Sequence, residues 1–227
     1  MTPRTARIWH GLVALVAVGA LVLQLVLVIR GGRVLDEVEP PDLVTRLARY
    51  VAYFTIQSNI LVAVVSAQLA RDPLRDGATW RVVRLAAVVG ITVTGVVHFL
   101  LLRPLLDLHG ADQVADKLLH MVVPLLAVVG WALFGPRPRV ELRDIKLALC
   151  WPLAWTAVIL VVGGLSGWYP YPFLDHREEH GATGVALAAV AITAFFLLVF
   201  AAVRYVDQKA RPAPEAWDPY RGGTAQP

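Results

Sequence analysis

Three short strings in the chain bring together residue types that can attack a carbonyl and types that can move a proton. YFTIQSN holds Thr55, Ser58 and Asn59, spaced so that one face of a helix presents two hydroxyls and an amide. Thr94 and His98 stand four residues apart further along. ADKLLHMVVP then puts Asp116, His120 and Pro124 along one helical face. Pro124 has no N–H for the carbonyl of His120 and is expected to kink the helix there. A fourth string, GWYPYPFLDHREEHG, carries Tyr169 and Asp175 among aromatics, prolines and water-seeking charges.

A hydroxyl is a weak nucleophile until a base within hydrogen-bond reach takes its proton, which a threonine beside a neutral histidine allows. Asp116, one turn before His120, or Asp175 in the loop would orient the imidazole. Asn59 or the Tyr169 hydroxyl would donate to a developing oxyanion. No GxSxG elbow occurs, which excludes a hydrolase of the soluble α/β type by motif.

The elements that must position these residues are membrane helices. Of 227 residues, 57% are hydrophobic and 17% charged, against roughly 45–50% and 25% in an ordinary soluble domain. Mean hydropathy is +0.61. The apolar residues fall in six blocks, near 9-29, 51-70, 82-102, 118-134, 146-163 and 183-203, each close to the roughly 20 residues a bilayer span needs. The expected architecture is an all-α six-helix transmembrane domain over 1-205, followed by a disordered cytoplasmic tail over 206-227 that is rich in Pro and Gly. The first block is too long for the apolar core of a signal peptide and ends without a small-residue cleavage site, so it reads as a retained anchor.

Lys and Arg number fourteen in the segments on the side of the termini and seven on the other, which predicts that both termini of a cell-membrane protein are cytoplasmic. With that orientation the polar residues of spans two, three and four share the outer level. Polar groups inside apolar spans must find partners or line a wet cavity, so their agreement in level marks a site. Singly they read more plainly: a membrane threonine usually bonds back to a carbonyl, and an asparagine ties helices together.

Other chemistries have less support. The single Cys150 forms no internal disulfide, and no zinc-type ligand spacing is present, so neither metal nor cofactor is expected. The basic residues never form a dense run, which argues against nucleic acid. The rival reading is a binding or transport protein in which His98 and His120 hold a proton, metal or haem. A haem relay would need a second histidine pair on the inner side, and the inner halves read as free of histidine.

YFTIQSN, LLHMVVP and WYPYPFLD, in this order, resemble the bacterial six-helix membrane proteins called Pr-six-Pr. That family is similar, more distantly, to the androgen-induced proteins, animal membrane hydrolases that cleave fatty acid esters of hydroxy fatty acids with a threonine and a histidine. The resemblance covers about residues 5-205 and implies Thr55 as nucleophile, His120 as catalytic histidine, and membrane lipids with a lipid-like ester substrate as partners. Where the animal pattern has a second histidine nearby, this chain has Met121 after His120.

Overall fold

The computed structural model describes residues 2–31, 41–135, 137 and 139–209, and every regular element among them is helical. Helix α1 (Pro3–Ile29) is followed by α2 (Leu43–Ala52), α3 (Phe54–Arg71) and α4 (Ala78–Val97). Next come α5 (Gly110–Lys117), α6 (Val123–Phe134), α7 (Leu142–Ser166) and α8 (Gly181–Lys209). Among the described residues, five helical segments are long and apolar enough to cross a membrane, or six if α2 and α3 count as one bent span. Large apolar side chains such as Leu15, Leu125, Leu165 and Val190 face outward, as lipid contact requires.

The second apolar block is not one straight helix. α2 and α3 meet at 66° around Tyr53, whose extended backbone breaks the ladder. Two carbonyls at the end of α2 find side-chain donors instead. Gln57 Nε2 donates to Val51 O at 3.1 Å, and Trp155 Nε1 on α7 donates to Ala52 O at 2.8 Å. The bend makes Phe54 and Thr55 the first turn of α3, where backbone N–H groups have no partner within the helix.

Two further departures from regular helix carry the two histidines. His98–Leu102 at the end of α4 and Leu118–Val122 between α5 and α6 are π-helical turns, a form associated with functional sites. The second has a legible cause in Pro124. In the wider register the Val123 N–H bonds Leu118 O, so the donor missing at Pro124 leaves Leu119 O without its helical partner. Asn59 Nδ2 donates to that oxygen at 3.2 Å. Leu119 O is thus satisfied from α3 and not from its own helix. Gly95 on α4 lets the opened turn approach closely: a Cβ there would lie 3.1 Å from His120 O.

The core around the site is aromatic. Phe54 stacks on Trp151 at 4.5 Å and meets Trp155 and Phe196 edge-on. Several segments reach beyond their expected edges: α4 begins at Ala78 and α5 at Gly110. α8 continues to Lys209, past the expected boundary at 205, because Asp207 is buried and accepts the N–H groups of Arg139 and Val140 at 2.7 and 2.8 Å. Residues 210–227 of the expected tail lie outside the described residues, as do Asp36, Glu37 and Glu39 of the first loop. Asp42 of that loop caps α2, accepting from Val44 N and Thr45 N.

Candidate functional site

Thr55, His98, Asp116 and His120 converge at the end of the bundle away from both described chain ends. Thr55 Oγ1 lies 3.2 Å from His120 Nε2. The other ring nitrogen, His120 Nδ1, lies 2.9 Å from Asp116 Oδ1 and 3.0 Å from Asp116 O. A carboxylate and a carbonyl only accept, so Nδ1 carries the proton and Nε2 is left to accept from the Thr55 hydroxyl. Hydroxyl, imidazole and carboxylate therefore stand in an order compatible with acyl transfer.

The His98 ring stacks on that of His120, with centroids 3.7 Å apart and planes within 9°. His98 Nε2 is 3.3 Å from Asp116 Oδ1 but out of line for a hydrogen bond, and it has no other partner among the described residues.

Tyr171 is the residue that sequence reasoning missed. Its hydroxyl lies 3.4 Å from Thr55 Oγ1 and accepts from Thr55 N–H at 3.4 Å. The tyrosine named from the sequence, Tyr169, instead bonds His176 Nδ1 at 3.2 Å, and its ring lies against Gly163. The WYPYPF string offers both tyrosines, two residues apart, and nothing in it ranks one over the other. Burial pushes the Tyr171 phenol up from its ordinary value, so the O–H stays protonated.

The other candidates divide between support and surface. Asn59 does not face the open space. Its amide donates to Thr55 O at 2.8 Å as well as to Leu119 O, binding the Thr55 backbone to the turn that carries His120. Both donors are engaged, as are the N–H groups of Thr55, on the Tyr171 hydroxyl, and of Ile56 and Gln57, on Tyr53 O, so an oxyanion-donor role for Asn59 gives way to the Tyr171 O–H. Ser58 and Thr94 bond each other at 2.9 Å and tie α3 to α4, with Ser58 also donating to Phe54 O. Asp175 binds Arg177 at 2.6 Å and does not line the space around Thr55, so Asp116 alone takes the orienting position.

Two cavities meet at this point. The first, about 110 Å³, is lined by Arg46, Arg49, Tyr50, Asp112, Asp116 and His120, and the second, about 70 Å³, by Val93, Leu149, Trp155, Ile192 and Phe196. Thr55, His98, Leu102 and Tyr171 belong to both walls. The first wall sets its charged groups among apolar side chains such as Val28, Ile56 and Leu119, while the second carries none, and the threonine lies between them. At the opposite end His10 is buried in the first half of α1, which corrects the reading of an inner side free of histidine.

No family model matches the chain, and neither does any curated protein or solved structure.

Proposed function

We propose that the protein is an integral membrane acyl-ester hydrolase of the Pr-six-Pr kind, distantly related to the androgen-induced threonine hydrolases. In this reading it has six crossings, counting the bent pair, in the cell membrane, with both termini cytoplasmic and the site toward the outer leaflet. The observation that carries the chemistry is the Thr55–His120–Asp116 chain of contacts, 3.2 and 2.9 Å long.

Thr55 Oγ1 attacks the ester carbonyl as its proton passes to His120 Nε2. Charge developing on the carbonyl oxygen meets the positive end of α3 and the Tyr171 O–H. On collapse, His120 returns the proton to the departing alkoxide and leaves a threonyl ester. Water, deprotonated by the same Nε2, then releases the carboxylic acid and restores Thr55. The acyl chain lies in the apolar cavity and the polar part of the substrate in the cavity with Arg46 and Arg49.

The rival haem reading meets a geometric obstacle, since two axial imidazoles stand on opposite faces of a porphyrin whereas these rings stack 3.7 Å apart. The deciding experiment is a detergent-purified preparation given aryl esters of increasing acyl length and a fluorophosphonate probe. Turnover with labelling mapped to Thr55 is expected, while a wild-type protein that neither turns over nor labels would end the hydrolase reading. Reporter fusions after Gln208 test orientation separately, with a cytoplasmic signal expected.

A further inference from the structure

Helices α7 and α8 both pack on α4 and scarcely on each other. Their ends are tied: Asp207 of α8 holds the N–H groups of Arg139 and Val140 ahead of α7, and the 167–180 loop joins the two helices at the other end. Between these ties the apolar cavity separates them, with Pro152, Leu153 and Thr156 on the α7 side and Ala189, Ile192 and Thr193 on the α8 side. Leu153 lines the cavity and is also 47% exposed, so the wall there is one side chain thick. Pro152 lacks the N–H that would bond Ala148 O, which removes a rung of the α7 ladder at the same level.

The surface outside this thin wall is hydrocarbon-seeking. Val158 and Val161 of α7 and Leu187 and Val190 of α8 are each more than half exposed, as contact with lipid tails allows. Inside, no Lys, Arg, Asp or Glu among the described residues lines the cavity, and Thr156 spends its hydroxyl proton on Pro152 O at 2.9 Å. Size then decides how much of a chain it can hold. A cavity of about 150 Å³ takes one benzene ring, so a volume of about 70 Å³ takes only the few carbons next to a carbonyl at Thr55. The rest of a long chain needs another place, and the thin wall at Leu153 leads to one.

We infer that the seam between α7 and α8 is a lateral door for the acyl chain of a bilayer-resident ester, with the first carbons held in the cavity beside Thr55 and the remainder left in the surrounding lipid. As a route to catalysis the door rests on the proposed hydrolase reading; as a slot for an acyl chain it does not. A chain already in the bilayer enters without crossing water, while the cavity with Arg46 and Asp116 in its wall suits the water that ends the reaction. Chain length follows from the same geometry: a closed pocket of this volume excludes long chains, whereas an open slot is indifferent to length beyond the first carbons.

The test has a binding arm and a turnover arm, both on the full chain in phosphatidylcholine nanodiscs. In the first, palmitic acid with a mid-chain diazirine is irradiated and its adducts are mapped by mass spectrometry. Adducts are expected within 152–156 and 189–193, competed by unlabelled palmitic acid and lost in Leu153→Trp, which plugs the rim. Leu153→Ala, which widens it, should raise the labelling, a gain that misfolding cannot produce. Labelling spread over the lipid-facing helices without competition, or indifferent to both substitutions, would overturn the door whatever the turnover. In the second arm, aryl esters from acetyl to palmitoyl are compared. The wild type should accept palmitoyl as readily as hexanoyl esters, and Leu153→Trp should lower the palmitoyl-to-acetyl ratio of kcat/KM at least about tenfold. A sharp cut-off above short chains, or an unchanged ratio in the variant, would overturn entry through the seam. A labelled slot in a wild type that turns over no ester would instead sink the hydrolase reading and leave the acyl slot standing.

Discussion

The Tyr171 hydroxyl lies 3.4 Å from both Oγ1 and the backbone nitrogen of Thr55, although 116 residues separate the two in the chain. In the proposed reaction its O–H donates to the oxyanion, and loss of one such donor costs about 10²–10³ in kcat. Tyr171→Phe should therefore lower kcat by roughly that factor with little change in KM. Tyr169→Phe, which removes only a bond to His176, should leave turnover intact. Equal effects of the two would place the donor elsewhere.

The Nδ1–H of His120 faces the backbone carbonyl of Asp116 at 3.0 Å as well as the carboxylate at 2.9 Å, and Asp116→Asn keeps the first acceptor while removing the charge. The tautomer is therefore held, and what is lost is stabilisation of the imidazolium. Asp116→Asn is expected to lower kcat by less than the loss of about 10⁴ that a wrong tautomer produces. Thr55→Ala and His120→Ala should each remove most turnover, and the double variant should be little worse than either, since the two act as a unit. Additive losses in steady-state kinetics would contradict a shared step.

How much of this the sequence contained depends on the residue. Thr55, His98 and His120 were legible because a polar group in an apolar span is conspicuous and the spacing of four fixes its face. Pro124 announced a disturbed turn for the same kind of reason, a missing donor. The break at Tyr53 left no trace, because the string YVAYFT contains neither glycine nor proline; tertiary donors, Gln57 and Trp155, support it from outside the string. His98's π-helical turn likewise has no local marker. Which tyrosine meets Thr55 depends on how the 167–180 loop folds over the bundle, and alternation within the loop does not encode that.

That loop makes a prediction about pH. Hydrogen bonds from Arg177 hold the Asp175 carboxyl below its ordinary value of 3.8. A carboxylate with a lowered folded-state value stabilises the fold above its unfolded value and loses that contribution as pH falls through the folded one. Trp168 emission, as a report on the loop, should stay flat from about pH 8 to about pH 5 and change only below about pH 4. Asp175→Asn should remove the acid transition and loosen the loop at neutral pH. A transition well above about pH 5 would show that Asp175 does not govern the loop.

At the other end of the bundle, Asp207 accepts two backbone N–H groups at the start of the α7 segment and is 2% exposed. Asp207→Ala leaves both donors buried without partners, at about 1–3 kcal/mol each if water cannot reach them. Thermal unfolding in detergent should show a clear drop in Tm, while kcat at permissive temperature stays near wild type because Thr55 and His120 lie at the far end. A kcat loss comparable to that of Asp116→Asn would couple the two ends and contradict a purely structural clamp.

Gly95 separates fold from site most cleanly. A glycine inside a helix is worse than alanine by about 0.5–1 kcal/mol, so Gly95→Ala should help α4 if nothing stood opposite. What stands opposite is the turn holding His120: the new Cβ would lie 3.1 Å from His120 O and 3.3 Å from Pro124 Cβ. The turn must retreat by a few tenths of an ångström, and His120 Nε2 withdraws from Thr55 Oγ1 with it. Misplacement of about 1 Å costs about 10² in rate, so a displacement of this size should cost roughly tenfold in kcat. Tm should stay level or rise as the helix gains and the contact loses. A variant with lowered Tm and unchanged kcat would show that the turn does not set the position of the base.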